Sequence, residues 1–208
     1  MFITFEGPEG SGKTSVMNEV FEKLSKENYE IIKTREPGGT PIAEQIRDII
    51  LNKENTALDP RAEALLYAAS RRQHLVEKII PAMKEGKIIF CDRFLDSSLA
   101  YQGGGRGLGV ENILNVNLFA TEGLWPDYTL IFNIKPEDGL KRIAANKGRE
   151  VNRLDLEKLD FHNKVYETFM NLAKSDPNRY IIIDATKPYE EVVDEVYTTI
   201  RKLISKWK

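Results

Sequence analysis

Short apolar runs alternate with longer amphipathic stretches along the whole chain. The apolar runs are rich in Ile, Phe and Tyr and have the length of strands rather than helices. They predict five strands, at residues 2–6, 30–34, 87–91, 128–134 and 180–184. Because strands that alternate with helices usually form parallel sheets, we expect an α/β fold with a five-stranded parallel sheet flanked by helices on both faces.

The amphipathic stretches carry apolar residues at helical spacing. They predict a helix that starts at Pro41 and others at residues 13–26, 59–85, 97–101, 110–122, 136–145, 154–174 and 189–207. The longest contains Pro81, which lacks an N–H group and predicts a kink. Its predicted apolar face consists of Leu65, Leu66, Ala69, Leu75, Val76, Ile79 and Ile80. A glycine-dense loop is expected at residues 102–109.

Composition is that of a globular protein in a reducing compartment. The 208 residues, 41% of them hydrophobic, suffice for one domain with a substantial core. A net charge of −2 predicts no binding to nucleic acid or to a membrane, and no apolar run is long enough to span a bilayer. Cys91 is the single cysteine, which excludes an intramolecular disulfide, and no secretion signal is recognisable. We therefore expect a cytoplasmic protein.

A glycine-rich stretch joins the first predicted strand to the first predicted helix. Its residues match the pattern G-x-x-x-x-G-K-[ST] and are Gly7, Pro8, Glu9, Gly10, Ser11, Gly12, Lys13 and Thr14. Glycines let backbone N–H groups approach phosphate oxygens, and the N terminus of the helix attracts the same anion. We expect Lys13 to reach the β- and γ-phosphates and Thr14 to hold Mg²⁺. The sequence thus predicts a nucleoside polyphosphate site.

Charged residues follow other predicted strands at the same edge of the sheet. Asp92 ends an apolar strand and is expected to hold Mg²⁺ beside the glycine-rich stretch. Arg35 and Arg93 also follow predicted strands. A guanidinium group at this edge can donate two hydrogen bonds to the oxygens of one phosphate. Arg47 and Arg71 lie on predicted helices. The helical periodicity does not decide whether they bind phosphate or lie on a face exposed to solvent.

A basic cluster lies between two predicted helices and consists of Arg142, Lys147, Arg149 and Arg153. One interpretation is a lid at residues 142–154 that closes over phosphates and supplies an arginine to the transition state. The other interpretation is a solvated charged loop. The chain shows no repeat and no linker, which predicts a single domain over residues 1–208.

Further short motifs are spread over nearly the whole chain. They are Phe5-Glu6-Gly7, Thr34-Arg35-Glu36-Pro37-Gly38-Gly39-Thr40, Tyr67-Ala68-Ala69-Ser70-Arg71, Asp92-Arg93, Ser97-Ser98-Leu99-Ala100-Tyr101-Gln102-Gly103, Pro126-Asp127 and Asp184-Ala185-Thr186-Lys187-Pro188. In these motifs the chain resembles the thymidylate kinase family of nucleoside monophosphate kinases. The resemblance implies a P-loop kinase fold, ATP and dTMP as substrates, dTDP as product, Mg²⁺ as cofactor and a homodimer.

The resemblance also implies roles in an acceptor site. Tyr67 would stack on thymine, Arg71 would contact the carbonyl at position 4, and Gln102 would meet the N3 edge. Arg47 and Arg93 would hold the acceptor phosphate. The implied acceptor site also includes Glu9, Arg35, Glu36, Pro37, Ser97, Ser98 and Tyr101.

In this family the catalytic arginine comes either from the phosphate-binding loop or, in the bacterial type, from the lid. Residues 7–14 contain no arginine, so the chain resembles the bacterial type, with Arg149 or Arg153 in that role. Glu9 would reach the sugar 3′-hydroxyl or organise Mg²⁺, and Tyr101 would disfavour ribonucleotides by crowding the 2′ position. The implied catalytic residues are Lys13, Glu9, Arg93, Arg149 and Arg153.

Two other functions are compatible with the glycine-rich stretch alone. A different nucleotide or nucleoside kinase would need another acceptor pocket than the one that Tyr67, Arg71 and Gln102 imply. A nucleotide-dependent switch protein normally carries Asn-Lys-x-Asp, but residues 146–149 end in arginine. Preference for dTMP over dUMP stays open, because one methyl group is worth about 1–3 kcal/mol. The apolar residues in 65–80 or 110–119 are candidates for a dimer interface or for the core.

Overall fold

The computed structural model describes residues 1–145 and 153–207 and confirms the α/β class. Five parallel strands form one sheet in the order β2-β3-β1-β4-β5. The strands are β1 (Phe2–Glu6), β2 (Ile31–Arg35), β3 (Ile88–Asp92), β4 (Tyr128–Asn133) and β5 (Tyr180–Asp184). The strand order reverses at β1, so the loop that follows β1 lies at the switch point where α/β sheets bind ligands.

Helices connect the strands. They are α1 (Lys13–Ser25), α2 (Pro41–Leu51), α3 (Pro60–His74), α4 (Ile80–Lys84), α5 (Leu95–Ser98), α6 (Val110–Thr121), α7 (Pro136–Ala145), α8 (Leu159–Ser175) and α9 (Tyr189–Trp207). Two π-helical segments, Leu75–Ile79 and Leu99–Gly105, follow α3 and α5, and a short 3₁₀ helix spans Arg153–Leu156. Within these described residues, no helix is both long enough and apolar enough to cross a membrane.

Alternate residues of the central strands enter separate cores on the two faces of the sheet. Phe5 and Phe90 pack with apolar residues of α1 and α9. Phe2 and Ile89 pack on the opposite face with residues of the first π segment and α5. A third cluster joins β4 and β5 to Phe169 and its neighbours on α8. Because both faces are covered, the central strands β1 and β3 are buried along their whole length and are mostly apolar.

The structure corrects the long helix expected at residues 59–85. The helical path is continuous, but α3 passes into the first π segment, in which the Ile80 N–H donates to the Leu75 carbonyl. This wide turn immediately precedes Pro81, which cannot donate a backbone hydrogen bond. Leu65 and Val76, expected on the apolar face, are 58% and 39% exposed. The buried face of α3 is partly polar, which the spacing of apolar residues does not register.

The structure also corrects the glycine-dense loop expected at residues 102–109. Residues up to Gly105 belong to the second π segment, and only residues 106–109 connect it to α6. Gly104 and Gly105 lie against α8, where an added Cβ would come within 2.1 Å of Thr168 Oγ1 and 2.6 Å of Phe161 Cε2, respectively. These glycines therefore permit close packing of the segment on α8. The helix expected at 154–174 is a 3₁₀ turn followed by α8.

Candidate active site

The glycine-rich loop takes a left-handed backbone conformation at two of its glycines. Gly10 and Gly12 have φ angles of 71° and 79°, a region that side chains disfavour. Gly12 directly precedes α1, so the loop leads into the positive end of that helix. A Cβ on Gly10 would lie 2.1 Å from the carbonyl oxygen of Gly139. The backbone of α7 therefore supports the loop from behind.

Lys13, Thr14 and Asp92 meet where β1 and β3 end. Burial, together with the charge of Arg93, lowers the pKa of the Lys13 ammonium. The Thr14 hydroxyl donates to Asp92 Oδ2. The other carboxylate oxygen, Oδ1, is buried and has no hydrogen-bond partner among residues 1–145 and 153–207. A hydroxyl beside a carboxylate oxygen that can still accept a ligand bond fits a hard cation such as Mg²⁺.

Arg93 lies between the glycine-rich loop and the adjacent cavity. Its φ of 69° is uncommon for a residue with a side chain. The guanidinium donates to the Gly7 carbonyl (3.1 Å), to Ser97 Oγ (3.1 Å) and to Glu9 Oε1 (2.8 Å). It also lies 4.9 Å from the centre of the Tyr101 ring. The cationic head of Arg93 is thus held between the glycine-rich loop and the second π segment.

Glu6 supports Arg93 from beneath. Its Oε1 accepts the Phe94 N–H at 2.7 Å, and its Oε2 accepts the Ser97 hydroxyl at 2.5 Å. Burial and the nearby carboxylate of Asp96 raise the pKa of Glu6 to about 8. These contacts fix the turn that carries Arg93, and neither the motifs nor the resemblance assigned this role to Glu6.

A cavity of about 260 Å³ opens beside Arg93. This volume is more than ten times the roughly 10–15 Å³ that one water molecule needs. Its walls contain all twelve residues for which an acceptor role is predicted, together with Lys13, Thr14 and Asp92. The remaining lining residues are Leu51, Phe94 and Leu154. The structure therefore brings the predicted acceptor residues together around one cavity that reaches the phosphate-binding loop.

Two arginines that line the cavity share a carbonyl partner. Arg35 and Arg47 each donate an Nη1 hydrogen to the Pro37 carbonyl, at 2.8 Å and 3.0 Å. Arg35 also pairs with Glu44 at 3.0 Å, and Glu44 in turn accepts the Gly39 N–H. With Arg93, they give the cavity lining the positive charge and the hydrogen-bond donors that suit a phosphate group.

Arg71 is held by a buried carboxylate. Its Nε donates to Glu36 Oε2 at 2.8 Å, and its Nη2 donates to the Phe94 carbonyl at 2.9 Å. Its Nη1 donates to Ser98 Oγ (3.1 Å) and to Asn117 Oδ1. These bonds use four of the five N–H groups of the guanidinium. The side chain lines the cavity but has little freedom to rotate.

His74 completes the same network. Its Nδ1 lies 2.9 Å from Glu36 Oε1, and its Nε2 lies 2.7 Å from Thr34 Oγ1. Glu36, although it lines the cavity, therefore acts as a support for Arg71 and His74 in this structure. A direct contact of Glu36 with the acceptor nucleotide remains a prediction.

Tyr67 and Gln102 line the cavity, and both lie near the buried carboxylate of Glu63. Burial, with the charge of Glu63 nearby, raises the pKa of the Tyr67 hydroxyl, so the ring is neutral. Gln102 Nε2 donates to Glu63 Oε1 at 2.8 Å. Glu63 also accepts from Arg106 and from Arg153. The Arg153 Nε further donates to the Ile50 carbonyl at 3.1 Å.

The lid arginines are thus only partly described. Arg153 contacts Glu63 and Ile50, on the acceptor side, and its catalytic role stays a prediction. Arg149 lies outside the described residues, as does most of the expected lid at 142–154. Arg142, at its start, donates to the Ala185 carbonyl at 2.9 Å and so ties α7 to the turn after β5.

Glu63 and Gly139 were missed by the sequence analysis. For Glu63 a signal exists: Glu63, Tyr67 and Arg71 follow one another at intervals of four residues, which places them on one face of α3. A helix face that combines a carboxylate, a phenol and a guanidinium over two turns indicates a binding site more than a packed core. Gly139 gives no local signal, because its importance arises only from contact with residues 9 and 10.

Known proteins resemble this chain over almost its full length. Residues 5–196 match the family model described as thymidylate kinase. A thymidylate kinase from Clostridium novyi is 59% identical over 195 residues, which are 94% of this chain and 95% of that protein. One from Bacillus velezensis is 55% identical over 99% of this chain and 97% of its own. The crystal structure of thymidylate kinase from Ehrlichia chaffeensis superposes with a TM-score of 0.77 at 34% identity, over 97% of this chain and 98% of that one. The chain belongs to the thymidylate kinase family.

Proposed function

We propose that the protein transfers the γ-phosphoryl group of ATP to the phosphate of dTMP, which gives ADP and dTDP. One observation carries the proposal: a phosphate-binding loop and an acceptor cavity meet at Arg93. The cavity is lined by the cationic groups of Arg35, Arg47 and Arg93 and also by an aromatic ring and hydrogen-bonding groups. This arrangement suits a nucleotide that already carries one phosphate.

On the donor side, residues Gly7 to Thr14 bind the polyphosphate of ATP. Backbone N–H groups surround the phosphate oxygens, and Lys13 approaches the β- and γ-phosphates. Adenine lies near the turn after β5. Thr14 and Asp92 hold Mg²⁺, which when bound neutralises charge on the phosphate oxygens.

On the acceptor side, Tyr67 stacks on thymine while Arg71 and Gln102 meet the O4 and N3 positions. Arg35, Arg47 and Arg93 surround the phosphate. The Pro37 carbonyl accepts from Arg35 and Arg47, whereas Glu36 holds Arg71. Glu9 accepts from Arg93 and from the Tyr101 hydroxyl, so it lies where the sugar would enter. Ser97, Ser98 and Tyr101 complete the wall around the sugar.

The chemistry needs no strong base. A phosphate monoester is already largely ionised near neutral pH, so its oxygen attacks directly. Catalysis then depends on aligning the two phosphates and on stabilising negative charge that spreads over the transferred group. Lys13, Arg93 and a lid arginine, Arg149 or Arg153, supply the positive charge. A lid at residues 142–154 of this single domain excludes water, which would otherwise hydrolyse ATP.

We also propose a cytoplasmic homodimer. Phe119 on α6 is 90% exposed, and Leu65 and Val76 on the adjacent helical path are also exposed. Large apolar side chains that gather on one surface mark an interface. Cys91 is a free thiol, as expected in a reducing compartment.

The function is tested by ADP release with ATP and a panel of acceptors: dTMP, dUMP, UMP, dCMP, AMP and thymidine. We expect the highest kcat/KM with dTMP. UMP should be poor because Tyr101 crowds the 2′ position, and thymidine should be poor because the arginines of the cavity are left without a phosphate. A preference for AMP or thymidine would overturn the proposal.

A further inference from the structure

The carboxamide of Gln102 has a fixed partner behind the cavity wall. Gln102 is buried, and its Nε2 donates to Glu63 Oε1 at 2.8 Å. Glu63 lies one turn before Tyr67 on α3 and is completely buried. Whether the NH₂ group or the carbonyl of Gln102 faces the cavity therefore depends on whether Glu63 accepts or donates the hydrogen bond between them.

Glu63 accepts hydrogen bonds only. Besides Gln102, it receives Arg106 Nε at 3.3 Å on Oε1, Arg106 Nη2 at 3.2 Å on Oε2, and Arg153 Nη2 on Oε2. Burial acts to raise the pKa of Glu63, but the hydrogen bonds from Arg153, Gln102 and Arg106 outweigh it, so the pKa lies below its ordinary value. An ionised carboxylate has no hydrogen to donate.

The orientation of Gln102 follows from this chemistry. The carbonyl oxygen of Gln102 would repel the Glu63 carboxylate, so the NH₂ group must face Glu63. The oxygen and nitrogen occupy opposite arms of the planar carboxamide, which leaves the carbonyl for the cavity. A carbonyl accepts from the N3–H group of thymine or uracil. Cytosine instead presents a lone pair at N3, so two acceptors would meet.

We propose that Glu63 is a positioning residue that holds the Gln102 carbonyl toward the base and thereby selects thymine and uracil over cytosine. This inference rests on the proposed function and assigns part of its base selectivity. A site built to pair with an N–H group rejects an analogue without it strongly, because buried polar groups are left unpaired. The interaction is carried through Gln102, so Glu63 itself need not touch the nucleotide.

The isosteric variant Glu63→Gln tests the proposal. Its new carboxamide can donate as well as accept, so the orientation of Gln102 is no longer fixed. At saturating ATP, we expect the ratio of kcat/KM for dTMP to that for dCMP to fall about tenfold or more. The ratio for dTMP to dUMP should stay unchanged, because both bases carry N3–H. A general loosening of the pocket would move both ratios.

Glu157→Gln is the matched control. It removes the other carboxylate partner of Arg106, which lies 2.5 Å from Glu157 Oε1, and leaves the bond between Gln102 and Glu63. We expect it to keep the wild-type ratio of dTMP to dCMP. A Glu63→Gln variant with the wild-type ratio would overturn the inference. Absence of dTMP turnover in the wild-type protein would overturn the proposed function as well.

A second measurement needs no folded Glu63 variant. In ¹H–¹⁵N spectra of the wild-type protein, the Gln102 side-chain amide can be assigned by its loss in Gln102→Leu. We expect its hydrogen-bonded Nε2 proton to exchange slowly and to keep its chemical shift when dTMP saturates the protein. Rapid exchange in the free protein, or a large shift on binding, would show that the nitrogen faces the base and would overturn the inference.

Discussion

The two halves of the cavity are built in different ways. In the proposed mechanism, the donor half consists of consecutive residues, 7–14, whose backbone N–H groups surround the phosphate oxygens with the Lys13 side chain beside them. The acceptor half consists of side chains from separate elements. Buried carboxylates hold two of these side chains, which are proposed to contact the base. Glu36 holds Arg71, and Glu63 holds Gln102.

The difference has energetic consequences. A backbone cradle depends for its shape on close packing of its glycines, such as the approach of Gly10 to Gly139. A pocket made of buried ion pairs depends on every partner, since an ion left alone in the interior is strongly destabilising. The donor half should therefore be sensitive to added volume, and the acceptor half to lost charge. Arg93 contacts both halves, so we expect its substitution to lower kcat.

The largest effect is expected where the halves meet. Arg93→Ala removes the cation that, in the proposed mechanism, stabilises the transferred phosphoryl group, but it keeps the glycines of residues 7–14. We expect kcat to fall about 10³-fold, with ATP affinity nearly unchanged. Steady-state turnover and calorimetric titration of ATP measure the two quantities. Arg201→Ala is the control, because Arg201 is exposed and pairs with Glu27 outside the cavity. Wild-type turnover in Arg93→Ala would remove Arg93 from the catalytic residues.

The next largest effect is expected from a substitution that removes a buried charge from the acceptor half alone. Glu36→Gln leaves the buried guanidinium of Arg71 without its carboxylate, and both side chains are almost completely buried. We expect the free energy of unfolding to fall by about 3–5 kcal/mol, with a raised KM for dTMP and little change in the KM for ATP. Chemical denaturation and steady-state kinetics provide these values.

The exposed pair of Lys23 and Asp194, 3.1 Å apart, provides the comparison for Glu36→Gln. Asp194→Asn should change the free energy of unfolding by at most about 1 kcal/mol, because water screens such pairs. If Glu36→Gln were no more destabilising than Asp194→Asn, the acceptor half would not depend on its buried charge as the structure indicates.

The same contrast explains how far sequence reasoning reaches. The glycine-rich loop, Asp92 and the five strands were predictable, since each signal lies within a few consecutive residues. The predicted strands end at residues 34 and 91, one residue too early. In the structure β2 and β3 continue to Arg35 and Asp92, which pair with each other across the sheet. The residues for which the resemblance implies an acceptor role all line one cavity, and the role itself stays a prediction.

What the sequence did not reveal depends on contacts between distant segments. The importance of Glu63 comes from Gln102, Arg106 and Arg153, which lie 39 to 90 positions away. The π segments were also missed, because no apolar periodicity distinguishes a wide helical turn from an ordinary one. The sequence leaves Leu65 and Val76 open between the core and a dimer interface, because an apolar residue at either place looks the same in sequence, and the structure shows both exposed.

The smallest effect is expected from crowding the donor half. A Cβ on Gly139 would lie 2.2 Å from the carbonyl oxygen of Glu9, so Gly139→Ala must shift either α7 or the loop. Overpacking of this kind costs about 1–3 kcal/mol, and we expect the KM for ATP to rise about tenfold while the KM for dTMP changes less. Lys141→Ala on the same helix is the control, because its side chain is 77% exposed. An equal rise in both KM values would mean that α7 supports the whole cavity, and the division into a backbone-built donor half and a charge-built acceptor half would fail at this position.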